Sequence, residues 1–175
     1  MLTIFSVPAE VQQTLSVMSI FSINAFTIAN EHGQTTGWAI FPIASRINHS
    51  CVPNVHNSYN STINLRMIHA IRLITAEEEI TTTYIGSSNP AYKRQQELEP
   101  YGFRCSCSSC ETSLEDTASD TRRERIVELN RDITWHELKS AVHCSRGLPD
   151  ALKAAEELAL MLEAEGIFHL DLATA

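Results

Sequence analysis

Arg46-Ile47-Asn48-His49-Ser50-Cys51-Val52-Pro53-Asn54 is the stretch on which the reading of this sequence turns. It sets amides, an imidazole, a hydroxyl and a thiol side by side, with no apolar repeat. Taken singly these are turn formers, because Asn and Ser side chains bond back to the local chain and Pro fixes its own φ. The wider segment 48–60 is rich in Asn, Ser, His and Pro and reads as an ordered loop. Cys51 and His49 could be imagined as a nucleophile and its base. Residues this close in sequence rarely point at each other, and no oxyanion-hole element accompanies them, so that pairing is set aside.

Outward from this loop the chain alternates short strands with helices. On the C-terminal side, Ile63 to Ile74 is aliphatic and β-branched with partial alternation, which predicts strands. Ala76 to Glu79 is a charged turn, and Ile80 to Ile85 is a short β-rich run ending near Tyr84. Asn89-Pro90 opens a helix that runs to about Glu99, and Pro100 and Gly102 break it. On the N-terminal side, Thr35 to Ile43 is strand-like and is ended by Pro42. Ser6-Val7-Pro8 starts a helix, with Ser6 as cap and Val11, Leu15 and Met18 on one face; the pattern decays near Asn24.

Three of the five cysteines crowd into Cys105-Ser106-Cys107-Ser108-Ser109-Cys110. Thiolates at this spacing can wrap one tetrahedral ion, and zinc is the usual partner of such soft ligands. A structural site wants a fourth ligand, for which Cys51, Cys144 and the seven histidines are candidates. The odd cysteine count, with no secretory signal, argues against a disulfide framework. Beyond Cys110 the chain becomes polar to about Asp120. Two amphipathic stretches follow, one marked by Ile126, Leu129 and Ile133, the other running from Pro149 to Glu165 with Leu152, Ala155, Leu158 and Leu162 on one face and Gly166 as stop.

The 175 residues suit one compact domain with an appendage, and the 43% hydrophobic content is ordinary for a chain with a core. The net charge of -8 is uneven, with -1 over 1–110 and -7 over 111–175. That argues against direct nucleic-acid binding, which needs cations to neutralise phosphates. It suits a basic protein partner or, more simply, a solvated acidic helical face. No stretch is long and apolar enough to span a bilayer, so no membrane partner is expected.

Asn48-His49-Ser50-Cys51-Val52-Pro53-Asn54 resembles the cofactor motif of SET-domain protein lysine methyltransferases. Glu77-Glu78-Glu79-Ile80-Thr81-Thr82-Thr83-Tyr84-Ile85 is similar to that family's second motif, which ends in the active-site tyrosine. The Cys105–Cys110 cluster resembles its post-SET zinc motif. The three motifs come in the family's order, and the likeness runs from about Asn24 to Cys110, closest to the SET-and-MYND-like subfamily and its fungal relatives.

The resemblance implies an α+β fold: a β-rich SET portion over 1–104, a post-SET zinc motif over 105–110 and a helical hairpin within 111–175. It implies methyl transfer from S-adenosylmethionine to a lysine of a protein substrate, in the nucleus or cytoplasm. By the same likeness Tyr84 and Tyr101 line the lysine channel, and Asn24, Ser45, Asn48, His49 and Phe103 contact the cofactor. Cys51 joins Cys105, Cys107 and Cys110 as the fourth zinc ligand, and Cys144 is left as an ordinary thiol. There are departures. Ala76 stands where a turn glycine is common. Neither a Gly-x-Gly opening motif nor a MYND-type cysteine cluster precedes Asn24, so the N-terminal half of the SET fold is expected to be absent and the isolated chain a weak enzyme. The rival reading is a non-catalytic, zinc-stabilised interaction module derived from such an enzyme. A plain zinc adaptor would leave the motifs around Asn48 and Tyr84 unexplained.

Overall fold

A computed structural model describes residues 8–112, 117–140 and 148–168. The chain divides into two compact units, Met1–Ile47 with Asn57–Ile68, and Asn48–His56 with His69–Ala175. Helices and short strands mix throughout, so the α+β expectation holds.

In the first unit, helix α1 (Ala9–Asn24) opens after Pro8. Ser6, the expected cap, lies outside the described residues. The expected apolar face is present in sequence but not buried: Val11, Leu15 and Met18 are 47, 55 and 63% exposed. Val17, Ile20, Phe21 and Ile23 are exposed as well, so the helix is apolar around most of its circumference and shows no single stripe to a core. The chain then folds into an antiparallel pair, β1 (Ala25–Ala29) and β2 (Thr35–Ile40), with Phe26 opposite Ala39 and Thr27 opposite Trp38. Asn30 closes the turn between them. Its Oδ1 accepts from the backbone N–H groups of His32 and Gln34, both at 3.0 Å, and Gly33 takes the left-handed conformation the turn requires (φ 74°).

The segment 48–60, expected as loop, contains two strands, β3 (Asn48–His49) and β4 (Val55–Asn60). β4 pairs with β5 (Leu65–Ala70), and this pairing overrides the turn-forming composition of Val55–Asn60. In the second unit β3 runs parallel to β6 (Thr81–Thr82), with Asn48 opposite Thr81 and His49 opposite Thr82. Helix α2 (Ala91–Leu98) follows Pro90, which offers no side-chain cap. Its first N–H is satisfied instead by Asp120 Oδ1 at 2.8 Å, from helix α4 (Thr117–Ser140). A short helix α3 (Ser108–Thr112) lies between them in sequence; it starts inside the cysteine motif and runs into the polar segment that follows Cys110.

α4 and α5 (Leu148–Ala164) pack around Ile126, Leu129, Leu158, Leu162 and Ile167. Leu152 and Ala155, expected on the same face, are exposed; burial is confined to the C-terminal half of α5. Gly166 (φ 65°) ends the helix as expected. Its N–H donates to Glu163 O at 3.0 Å and the Ile167 N–H to Leu162 O at 2.9 Å, a Schellman closure that returns Ile167 to the core. Cys144 lies outside the described residues.

The charged turn before β6 departs from expectation in one detail. Glu77, not Ala76, takes the left-handed conformation, with φ 68°. An L side chain there crowds its own carbonyl by about 1–2 kcal/mol, and a glycine would relieve this at an entropic cost of about 0.5–1 kcal/mol. Glu77→Gly is therefore expected to raise stability by up to about 1 kcal/mol, read as a shifted denaturation midpoint with unchanged slope. A loss of stability would show that the Glu77 side chain holds the turn.

Candidate functional site

The segment Asn48–Asn54 is fastened to Glu78–Thr82 by one residue above all. Asn54 is fully buried. Its Oδ1 accepts from the Thr81 N–H (2.8 Å), and its Nδ2 donates to Glu79 O (2.8 Å) and Glu78 Oε1 (3.0 Å). Its backbone N–H donates to Thr81 O (3.2 Å), and its carbonyl accepts from Ile71 N–H (3.0 Å). Ser50 N–H donates to Thr82 O at 2.9 Å, and Asn48 Nδ2 to Glu79 Oε1 at 2.6 Å. The β6 segment thus sets the path of the chain from 48 to 54, which brings Cys51 and His49 close to Tyr84.

The four cysteines named from the sequence come together. Cys51, Cys105, Cys107 and Cys110 place their sulfurs within 4.8 Å of one another, with Cys51 Sγ 3.6 Å from Cys110 Sγ and 3.9 Å from Cys105 Sγ. A tetrahedral ion with metal–sulfur bonds of about 2.3 Å needs sulfur separations of about 3.8 Å, so the cluster could hold zinc with little adjustment. Crowding drives the sulfurs apart in acidity. Cys51 is raised by its contacts with Cys107 and Cys110, while Cys107 is lowered because it accepts from Cys110 and Cys51. Burial, chiefly, pushes Cys105 up to about 11. Four thiols this close cannot all ionise without a cation among them. The loop is also held from α2: Gln95 Nε2 donates to Cys105 O at 3.0 Å, and Cys105 N–H to Gln95 Oε1 at 3.2 Å.

Beside the sulfurs lies an aromatic group. Tyr84 and Tyr101 have ring centroids 5.0 Å apart, and His49 sits 5.3 Å from Tyr84 and 6.0 Å from Phe103. Phe103 meets Tyr84 edge-on at 6.3 Å and is 40% exposed. His49 joins the two clusters. Its Nδ1 accepts the Tyr84 backbone N–H at 3.1 Å, so in the neutral ring the proton sits on Nε2, 3.4 Å from Cys51 Sγ. Burial holds this imidazole down to about 4, so it is neutral at physiological pH. His49 and Cys51 therefore do face each other, against expectation, because the turn after β3 folds back on the strand. Cys51 is fully buried against two other sulfurs and is no accessible nucleophile. Tyr84 and Tyr101 are both raised, chiefly by burial, and remain neutral phenols.

Asn24 and Ser45 belong to the first unit. Asn24 ends α1, with Nδ2 donating to Ile20 O at 2.8 Å, while its carbonyl accepts the Ser45 hydroxyl at 2.9 Å. Two residues of the second unit were not singled out from the sequence. Asn54 was visible only as a motif member. Arg94 was given no role within the expected helix, although it precedes buried Leu98 by one helical turn and shares its face.

A family model described as the SET domain matches residues 4–85. Histone-lysine N-methyltransferase set5 of Schizosaccharomyces pombe is 39% identical over 116 residues, 63% of this chain and 34% of that protein. N-lysine methyltransferase SMYD2-B of Danio rerio is 32% identical over 147 residues, 83% of this chain and 32% of the relative. N-lysine methyltransferase SMYD2 of Bos taurus is 33% identical over 134 residues, covering 76% and 30%. The chain spans about a third of the length of these curated relatives. Among the described residues, no helix is long and apolar enough to cross a membrane.

Asn54→Ala would take the side-chain partner from the part-buried contacts to the Thr81 N–H and the Glu79 carbonyl. It is expected to cost about 2–4 kcal/mol, measured by denaturant unfolding followed through tyrosine fluorescence. A loss below about 0.5 kcal/mol would mean that the strand pairing alone sets this register.

Proposed function

We propose that this chain, which matches the SET-domain family over residues 4–85, is part of an S-adenosylmethionine-dependent protein-lysine N-methyltransferase with a structural zinc site. The observation that carries the reading is the group His49, Tyr84, Tyr101 and Phe103, tied through His49 to the sulfur of Cys51. In this reading residues 1–104 are SET domain, 105–110 the zinc motif and 111–175 a helical segment. The relatives are named for the chemistry proposed here, methylation of lysine. The substrate class is a lysine amine on a protein, and the free thiols of the cluster suit a reducing nuclear or cytoplasmic setting.

S-adenosylmethionine, when bound, supplies the electrophilic methyl group. Phe103 would offer its exposed ring face to the adenine. Asn48 and His49 on β3 would meet the cofactor largely through backbone groups. A lysine amine has an ordinary pKa of about 10.4 and must be neutral to react, which a dry aromatic surrounding favours. Tyr84 and Tyr101 stay protonated beside each other, so they can accept from or donate to the amine without competing for its proton. Their contribution is alignment and exclusion of water rather than acid–base chemistry. Cys51, Cys105, Cys107 and Cys110 would fill all four positions of a zinc ion, which leaves the metal no open site for catalysis. The fit of the four sulfurs to tetrahedral spacing supports that assignment.

Two measurements test the reading. Placed in an enzyme with a complete SET domain, Tyr84→Phe should fold normally and lose most methyl transfer to a lysine-containing protein, by about 10²-fold or more. Unchanged turnover would remove Tyr84 from the channel and leave it as packing. Zinc content of the purified chain should be one ion per molecule, and Cys51→Ser should hold it about 10–100-fold more weakly. Equal retention by the Cys51→Ser variant would exclude Cys51 as a ligand.

A further inference from the structure

Arg94 is fully buried on α2, yet it has no carboxylate partner among the described residues. Its Nη1 donates to Asn89 O at 2.6 Å. Its Nη2 lies 3.4 Å from both Ser109 O and Ser109 Oγ and 3.7 Å from Cys110 Sγ, while Nε finds no acceptor among the described residues. Arg123 is equally buried and makes the contrast plain, because its Nε meets Glu165 Oε2 at 2.9 Å. A guanidinium cannot shed its proton and is costly to bury unpaired. Four thiolates around one divalent ion carry a net double negative charge, which is as costly to bury as the cation is. Each is the partner the other lacks.

We propose that Arg94 is the buried counter-cation of the sulfur centre and sets its affinity for zinc. The inference rests on the zinc reading above and adds to it the residue that neutralises the site. The N–H to Cys110 is a charge-assisted contact aimed at a ligand atom. The fork does a second task by bonding the Ser109 carbonyl and hydroxyl, which fixes the turn carrying Cys107 and Cys110. The acceptors of Arg94 all lie at the end of the sulfur loop or at the start of α2, so it acts on the metal and its loop.

The test is zinc affinity of the 175-residue chain, measured by competition with a chromogenic chelator, for the parent chain, Arg94→Gln, Arg94→Lys and Leu129→Ala. Leu129 belongs to the α4–α5 core and not to the sulfur cluster, so its variant reports the effect of lost fold stability alone. Arg94→Gln should weaken zinc about 10–100-fold, Arg94→Lys should recover most of that, and Leu129→Ala should match the parent. Parent-level affinity in a folded Arg94→Gln chain would overturn the proposal. So would an Arg94→Lys as weak as Arg94→Gln, since charge would then not be what counts. If Arg94→Gln does not fold, Arg94→Lys decides: near-parent affinity supports the proposal, and a fall as deep as that of Cys51→Ser overturns it. A parent chain that takes up no zinc and is indifferent to Cys51→Ser would sink the zinc reading, and this proposal with it.

Discussion

The convergence of Cys51 on the Cys105–Cys110 turn is the constraint from which the rest of the second unit follows. A chain segment 54 residues away must deliver one sulfur to within 3.9 Å of two others. Cys51 cannot do this unless β3 is fixed, and β3 is fixed by its pairing with β6, by the buried amide of Asn54 and by the Asn48 side chain on Glu79. The same pairing places His49 beside Tyr84, because Asn48–His49 and Thr81–Thr82 are in register. Sulfur cluster and aromatic group are therefore two outputs of one strand pairing. Disturbing Asn54 should be felt at both.

The network continues from the sulfurs into the helical segment through Ser109. Its hydroxyl accepts from Arg123 Nη2 at 2.7 Å and lies 3.4 Å from Arg94 Nη2, and Arg123 also donates to the Ser87 carbonyl. Glu165 answers Arg123 from just beyond the end of α5, and it accepts from Ser119 and Arg122 as well. Asp120 caps α2 from α4. Buried ion pairs of this kind add little net stability compared with apolar packing, because desolvation offsets attraction. What they do supply is direction. Arg123 can meet Glu165, Ser87 and Ser109 together in only one placement of α4 against the Cys105–Cys110 loop.

Much of this was legible in the sequence because the chemistry is local. The three thiols stand close together in the chain, Gly166 sits where a helix must reverse its φ, and Pro8 and Pro90 mark helix starts. The losses share a cause. Val55–Asn60 has turn-forming side chains, but its strand is made by a partner, Leu65–Ala70, that a window on the segment does not contain. Leu152 and Ala155 match the helical period, yet period fixes only which residues share a face, not how far along the helix a neighbour reaches. Arg94 and Arg123 look like surface cations until their acceptors, supplied by Asn89, Ser109 and Glu165, are known. Ala76 and Glu77 are adjacent in one short charged turn, and composition does not say which carries the positive φ. Asn24 and Ser45 were named separately by resemblance; the 2.9 Å hydrogen bond that joins them was not foreseen.

The makeup of the sulfur cluster shows why this unit should be unusually dependent on metal. Its fully buried members are Cys51, Leu98, Cys105 and Cys110. Only Leu98 is an aliphatic side chain, whose burial is worth about 1.5–3 kcal/mol. Binding of a structural zinc by cysteines in small domains is worth about 10–16 kcal/mol, several times more. Without an ion, the same sulfurs crowd one another, and Arg94 is a buried cation facing thiols that have little reason to ionise. With one, the crowding becomes coordination and the cation acquires its counter-charge. Were the cluster to hold zinc as proposed, metal binding would outweigh apolar packing in it, and the ordering of the Cys105–Cys110 loop, of Phe103 two residues before it and of His49 behind Cys51 would rise and fall together with metal occupancy.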